Sequence, residues 1–165
     1  MAKFVFSIKK ATTDRLKSKL ADLSKGLTQA ESKEVGALAI YGMKRMIAVG
    51  LSPIAGNGRF PAYKKPEKYP GKRKNKRPVN LYLSGDFLGS LESKNIKTTK
   101  GYQPSIGFRD KKSRDKEQGH REGANTQPKR PIIPDASKNE LIAKTIEVSI
   151  LDYLKQVLKE RVRKG

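Results

Sequence analysis

Between Ser52 and Asn80 the chain carries five prolines, three glycines, nine lysines or arginines and a single acid, Glu67, with no hydrophobic periodicity. Such a stretch cannot supply a helix or an interior strand. Proline removes backbone donors, and unpaired cations resist leaving water. A structureless stretch of this length inside a compact domain is either functional or disordered.

On the N-terminal side, Phe4, Phe6 and Ile8 alternate with polar neighbours, which predicts a half-buried strand over Phe4–Lys9. Thr12 or Thr13 can cap a short helix carrying Leu16, Leu20 and Leu23, ended by Gly26. Thr28 with Glu31 forms a capping box, and Val35, Leu38, Ala39, Met43, Met46 and Ile47 follow at helical spacing up to Gly50.

Beyond the basic stretch, Val79 to Leu83 restores order. Ser84 to Leu91 reads as one or two helical turns, with Leu83, Phe87, Leu88 and Leu91 inward. Asn95–Thr99 and Ser105–Phe108 are expected strands joined by a turn at Gly101. Lys111 to Asn125, dense in both charges, predicts a loop or short exposed helix whose acids and bases form salt bridges. Lys129 to Pro134 must be extended, because a proline disfavours helix in the residue before it. Ser137 and Glu140 suggest a second capping box, with a helix from Lys138 to Arg163. Ile142, Ile146, Ile150, Tyr153 and Val157 make one stripe; Leu141, Val148, Leu151, Leu154 and Leu158 make a second. That apolar face is wider than one packing surface needs, which points to a partner subunit. The expectation is an α+β fold in a single domain over 1–165. A small, mostly antiparallel sheet packs against two long helices, Thr28–Gly50 and Ser137–Arg163, with a long basic loop at 52–80.

Thirty-seven lysines and arginines against sixteen acids give a formal charge of +21. An excess of that size repels itself and calls for a polyanion, most often nucleic acid. The chain has no cysteine, which suits a reducing compartment, and no apolar run of membrane-spanning length. Met1 to Ile8 is too short and too alternating for a signal peptide, so the chain reads as made in a cytoplasm. His120 is the only histidine, and reads as solvated or locally hydrogen-bonded. A serine triad or a histidine–metal centre has no residues to draw on. Gly56-Asn57-Gly58 lacks the Gly-Lys-Ser/Thr of a phosphate loop and reads as a turn. The expectation is a protein that is not an enzyme, with no catalytic or metal residues and no cofactor.

Three segments in order carry a resemblance. Leu83-Ser84-Gly85-Asp86-Phe87-Leu88-Gly89-Ser90-Leu91 is similar to the Thr-Gly-x-Leu-x-x-Ser-Ile/Leu motif of the neck and tail-completion proteins of long-tailed bacteriophages. His120-Arg121-Glu122-Gly123 resembles their His-x-Phe-Gly turn, with Glu122 in place of the aromatic. Pro128-Lys129-Arg130-Pro131-Ile132-Ile133 resembles their Pro-Ala-Arg-Pro-Phe-Leu stretch, with Ile132 in place of Phe. Within these segments Gly85 is expected to allow a tight start to the short helix, and Gly123 a turn closed to other residues. Arg130 is expected to be held outward, toward a carboxylate across a subunit boundary.

The resemblance implies a virion component, assembled in the host cytoplasm: a homo-oligomeric ring in the neck that joins portal or head-completion proteins to the tail and lets DNA pass, without membrane contact. Lys72, Arg73, Lys74, Lys76 and Arg77 are the expected DNA-facing residues, making sequence-independent phosphate contacts. Arg59, Tyr63, Lys64, Lys65, Tyr69, Arg130, Leu151, Leu154 and Leu158 are the expected subunit or neighbour interface. The alternative reading is a ribosomal or other RNA-scaffold protein, which the size and basicity also suit.

Overall fold

Thr28 starts the first helix, α1 (Gln29–Ala48), through the expected capping box. The Glu31 amide donates to the Thr28 hydroxyl at 3.2 Å, and the Thr28 amide donates to the Glu31 carboxylate at 2.7 Å. Two donors that the helix cannot satisfy internally are thereby bonded. The computed structural model describes residues 26–62, 79, 81, 85–123 and 128–164. The expected strand Phe4–Lys9 and the helix through Leu16, Leu20 and Leu23 lie outside these residues.

The helix α1 buries Ser32, Val35, Gly36, Ala39, Met43 and Ile47. It is the spine of the fold, packed by a β-hairpin and by the C-terminal helix. Two glycines set these approaches. A Cβ on Gly36 would lie 2.6 Å from the Ser93 Cβ, and one on Gly42 would lie 2.9 Å from the Ile146 Cγ1.

A short helix, α2 (Asp86–Gly89), leads into β1 (Leu91–Lys97), which pairs antiparallel with β2 (Tyr102–Phe108). Gly85 opens α2 with φ +87°, the left-handed conformation expected of it. The strands start earlier than the sequence indicates, since Leu91 already pairs with Phe108. Phe87 stacks on Phe108 with ring centroids 4.8 Å apart, fixing α2 to the hairpin. Asn95 ties β1 to α1: its carbonyl accepts from the Ser32 hydroxyl at 2.9 Å, and its amide donates to the Gln29 carbonyl at 3.1 Å. The fold is α+β, a two-stranded antiparallel sheet packed with helices.

Lys111–Glu122 forms a regular helix, α3, capped by Asp110, whose carboxylate accepts from the Ser113 amide at 2.8 Å. It is the short helix expected, exposed over most of its length, but one face is not solvated: Ser113, Glu117 and His120 are buried along it. Of the expected salt bridges within it, Glu117–Arg121 forms at 3.5 Å, while Arg114 instead donates to the carbonyls of Phe108 and Arg109. Gly123 ends α3 with φ +73°, as anticipated.

The second capping box does not form. Ser137 donates its amide and hydroxyl to the Asp135 carboxylate, and Glu140 accepts from the Asp135 amide at 2.9 Å. Both capping groups are consumed in a 3-10 turn (Ala136–Lys138), and Asn139 at φ +53° breaks the path. Leu141 to Ala143 then run beside Pro53 to Ala55: the Ala55 amide donates to the Leu141 carbonyl and the Ala143 amide to the Pro53 carbonyl, both at 2.8 Å. The last helix, α4 (Lys144–Lys164), therefore starts six residues late. Its C-terminal end is tied back to the start of α1 by Arg161, which pairs with Glu31 and donates to the Gly26 carbonyl.

Candidate functional site

The basic stretch is rooted in the core at both ends. Phe60 in its first part, Val79 at its end and Leu81 just beyond it are buried in one cluster with Met43, Ile47 and Ile132. Gly56 and Gly58, with φ +83° and +60°, make the expected turn, closed by a Ser52 amide to Gly58 carbonyl bond of 2.8 Å. That turn brings Arg59 opposite Leu51 and aims the chain toward Pro61.

There Arg130 takes hold. Its Nε and Nη2 donate to the Pro61 carbonyl at 3.0 and 2.9 Å, and Nη2 also reaches the Ala62 carbonyl at 2.9 Å. The residue is 3% exposed, which corrects the expectation of an outward guanidinium waiting for a partner's carboxylate. The flanking prolines stiffen the segment as foreseen. The planar fork, however, is used inside the subunit, on the carbonyls that begin the basic stretch.

The segment carrying Arg130 is anchored by α3. The Arg130 amide donates to the His120 carbonyl at 2.7 Å. The Ile132 and Ile133 amides donate to Glu117 Oε1 at 3.1 and 3.3 Å, and Arg121 bridges Glu117 to Glu140. A segment whose prolines forbid helical bonding thus finds its acceptors on a neighbouring helix. Burial raises the Glu117 carboxyl above its ordinary pKa, against the lowering effect of the two isoleucine amides. His120 is 9% exposed and its ring lies 5.6 Å from Phe87, so the expectation of a solvated imidazole is corrected. Burial, reinforced by the Lys116 and Arg130 charges, lowers its pKa to about 4. This histidine is a neutral core group.

Around the root opens a cleft of about 340 Å³, lined by Arg59, Arg121, Lys129, Arg130 and Lys138, with Glu140 its one carboxylate. Of the expected site residues, Arg59 and Arg130 meet here. Tyr63, Lys64, Lys65, Tyr69, Lys72, Arg73, Lys74, Lys76 and Arg77 lie outside the described residues. Leu151 and Leu158 sit on α4, 41% and 42% exposed, while Leu154 is half-buried. The sequence reading missed Glu117, Arg121 and Glu140; the four-residue spacing of Glu117 and Arg121 was the one available signal.

Among the described residues no group of three or more His, Cys, Asp and Glu side chains could hold a metal ion, and no helix is long and apolar enough to cross a membrane. No family model, curated protein or solved structure matches the chain.

Proposed function

We propose that this chain is a structural component of the neck of a long-tailed bacteriophage, a ring-forming connector or tail-completion protein through which DNA passes. The observation that carries the reading is an apolar ridge on α4. Val148, Leu151, Leu158 and Val162, 41–44% exposed, recur at helical spacing on a face apart from the buried Ile146. Four large aliphatic groups on one exposed helix face fit a subunit boundary. Head-to-tail repetition of one such boundary closes a ring. The charge of +21 suits a wall facing DNA, where loose, sequence-independent attraction lets the duplex move. The order of the three motifs adds the neck as the setting, with portal or head-completion and tail proteins as the neighbours.

Light scattering coupled to a sizing column tests the reading. The unmodified chain is expected to form a discrete oligomer, alone or on addition of a portal or tail-completion partner. The double variant Leu151→Asp, Leu158→Asp should remain monomeric with its helical circular dichroism intact. A chain that stays monomeric under all these conditions and binds structured RNA would instead belong to the RNA-scaffold class.

A further inference from the structure

We propose that the cleft at the root of the basic stretch is a phosphate-binding site, which seats a backbone phosphate of nucleic acid between Arg59 and Lys129. The inference goes beyond the neck reading and does not depend on it, since any nucleic-acid backbone offers the same group.

The two cations differ from the others in the cleft. Arg121 is committed to Glu117 and Glu140, Lys138 stands 3.8 Å from Asp135, and Arg130 holds the Pro61 and Ala62 carbonyls. Arg59 and Lys129 are exposed and make no ion pair among the described residues. Their backbones are nonetheless fixed. Arg59 sits opposite Leu51 beside the Gly56–Gly58 turn, and Lys129 immediately precedes the Arg130 amide bonded to His120. Two free positive heads on held backbone, in a concavity, favour a compact anion over a diffuse counterion cloud.

The single carboxylate of the cleft does not neutralise it. Glu140 is engaged by Arg121 at 3.0 Å and by the Asp135 amide at 2.9 Å, and these bonds hold its carboxyl below the ordinary carboxylate range. The stretch that begins at the cleft adds eight more lysines and arginines between Lys64 and Arg77 against Glu67 alone. A run of that sign matches a polymer of phosphates better than one acidic side chain. A site that holds a backbone phosphate contacts a group common to every nucleotide, so it carries no sequence preference.

The test measures binding of the full chain to a short fluorescent DNA duplex across a salt series. Arg59→Gln with Lys129→Gln should lower the slope of log affinity against log salt by about one, for the single phosphate no longer seated between them. Lys97→Gln with Lys100→Gln, an equal charge change on the exposed hairpin turn, should lower it by much less. The charge-keeping pair Arg59→Lys, Lys129→Arg should retain the slope. Pyrophosphate serves as the small probe. It should raise the melting temperature of the unmodified chain and of the hairpin variant, and leave the glutamine cleft variant unmoved. Equal losses in the cleft and hairpin variants would overturn the proposal in favour of diffuse attraction. A cleft variant that binds DNA and responds to pyrophosphate normally, yet fails to assemble, would overturn it in favour of a neighbour's carboxylate, and would leave the ring reading intact.

Discussion

His120 shows how one residue couples the fold to pH. Its folded pKa of about 4 lies below the ordinary 6.5, because burial and the Lys116 and Arg130 charges oppose protonation. The unfolded chain therefore binds the proton more readily, and the contribution of this group to stability falls as pH drops from above 6.5 toward 4. Between pH 7 and pH 5 the loss is about 2 kcal/mol. The raised Glu117 pKa works in the opposite sense, since the folded state then takes up the proton first. Urea unfolding at pH 7 and pH 5 should thus give a clear fall for the unmodified chain and a much smaller one for His120→Gln. An unchanged fall in the variant would assign the effect to the carboxylates.

Arg130 belongs to the same scale. Its three bonds run from a charged donor to neutral carbonyls across a sequence separation of sixty-nine and sixty-eight residues. Arg130→Ala is expected to cost about 3 kcal/mol, and Arg130→Lys to recover only part of it, since an ammonium cannot span two carbonyls as a planar fork does. Equal stability of the lysine variant and the unmodified chain would show that charge alone matters here. The residue was legible as rigid but not as inward. Prolines fix the backbone on either side, whereas the direction of the side chain is set by carbonyls brought in from a distant part of the chain.

At the scale of elements, what was legible was what is local. The box at Thr28 forms because both partners lie within one turn and nothing competes for them. The box at Ser137 fails because Asp135 and Arg121 bind the same groups more strongly, one of them from another helix. The buried polar face of α3 was illegible for a related reason: Glu117 read as a salt-bridged acid and His120 as solvated or locally hydrogen-bonded, because the Ile132 and Ile133 amides that meet Glu117 come from a distant part of the chain. Gly36 and Gly42 gave no periodic signal, yet they set how closely α1 meets β1 and α4. Gly36→Ala gains about 1 kcal/mol of helix propensity but drives a methyl against Ser93, whose own Cβ is fixed to the strand backbone. Overpacking of this kind costs about 1–3 kcal/mol, so a net destabilisation is expected. Gly42→Ala should be milder, because it meets the movable Cγ1 of Ile146. Denaturation midpoints check the order, and Ser93→Gly combined with Gly36→Ala should restore much of the loss. If it restores none, the close approach is not what Gly36 protects.

For the whole molecule the governing quantity is the unbalanced charge. Even if every one of the sixteen acids neutralised one base, twenty-one of the thirty-seven lysines and arginines would remain. The ion pairs among the described residues are mostly short-range, such as Lys144–Glu147 and Lys155–Asp152, and exposed pairs of this kind contribute little. The isolated chain is therefore expected to be held below its attainable stability by self-repulsion. The screening length falls from about 30 Å at 0.01 M salt to about 10 Å at 0.1 M, which spans the separations between charges on a domain of this size. Its melting temperature should accordingly rise with sodium chloride over this range, and a trace of duplex DNA at low salt should raise it further than the same ionic strength of chloride. The advantage of DNA should vanish at high salt, because the salt that relieves repulsion also releases the DNA. A melting temperature indifferent to chloride would mean that the fold already disperses its charge, and the polyanion would then have nothing structural to supply.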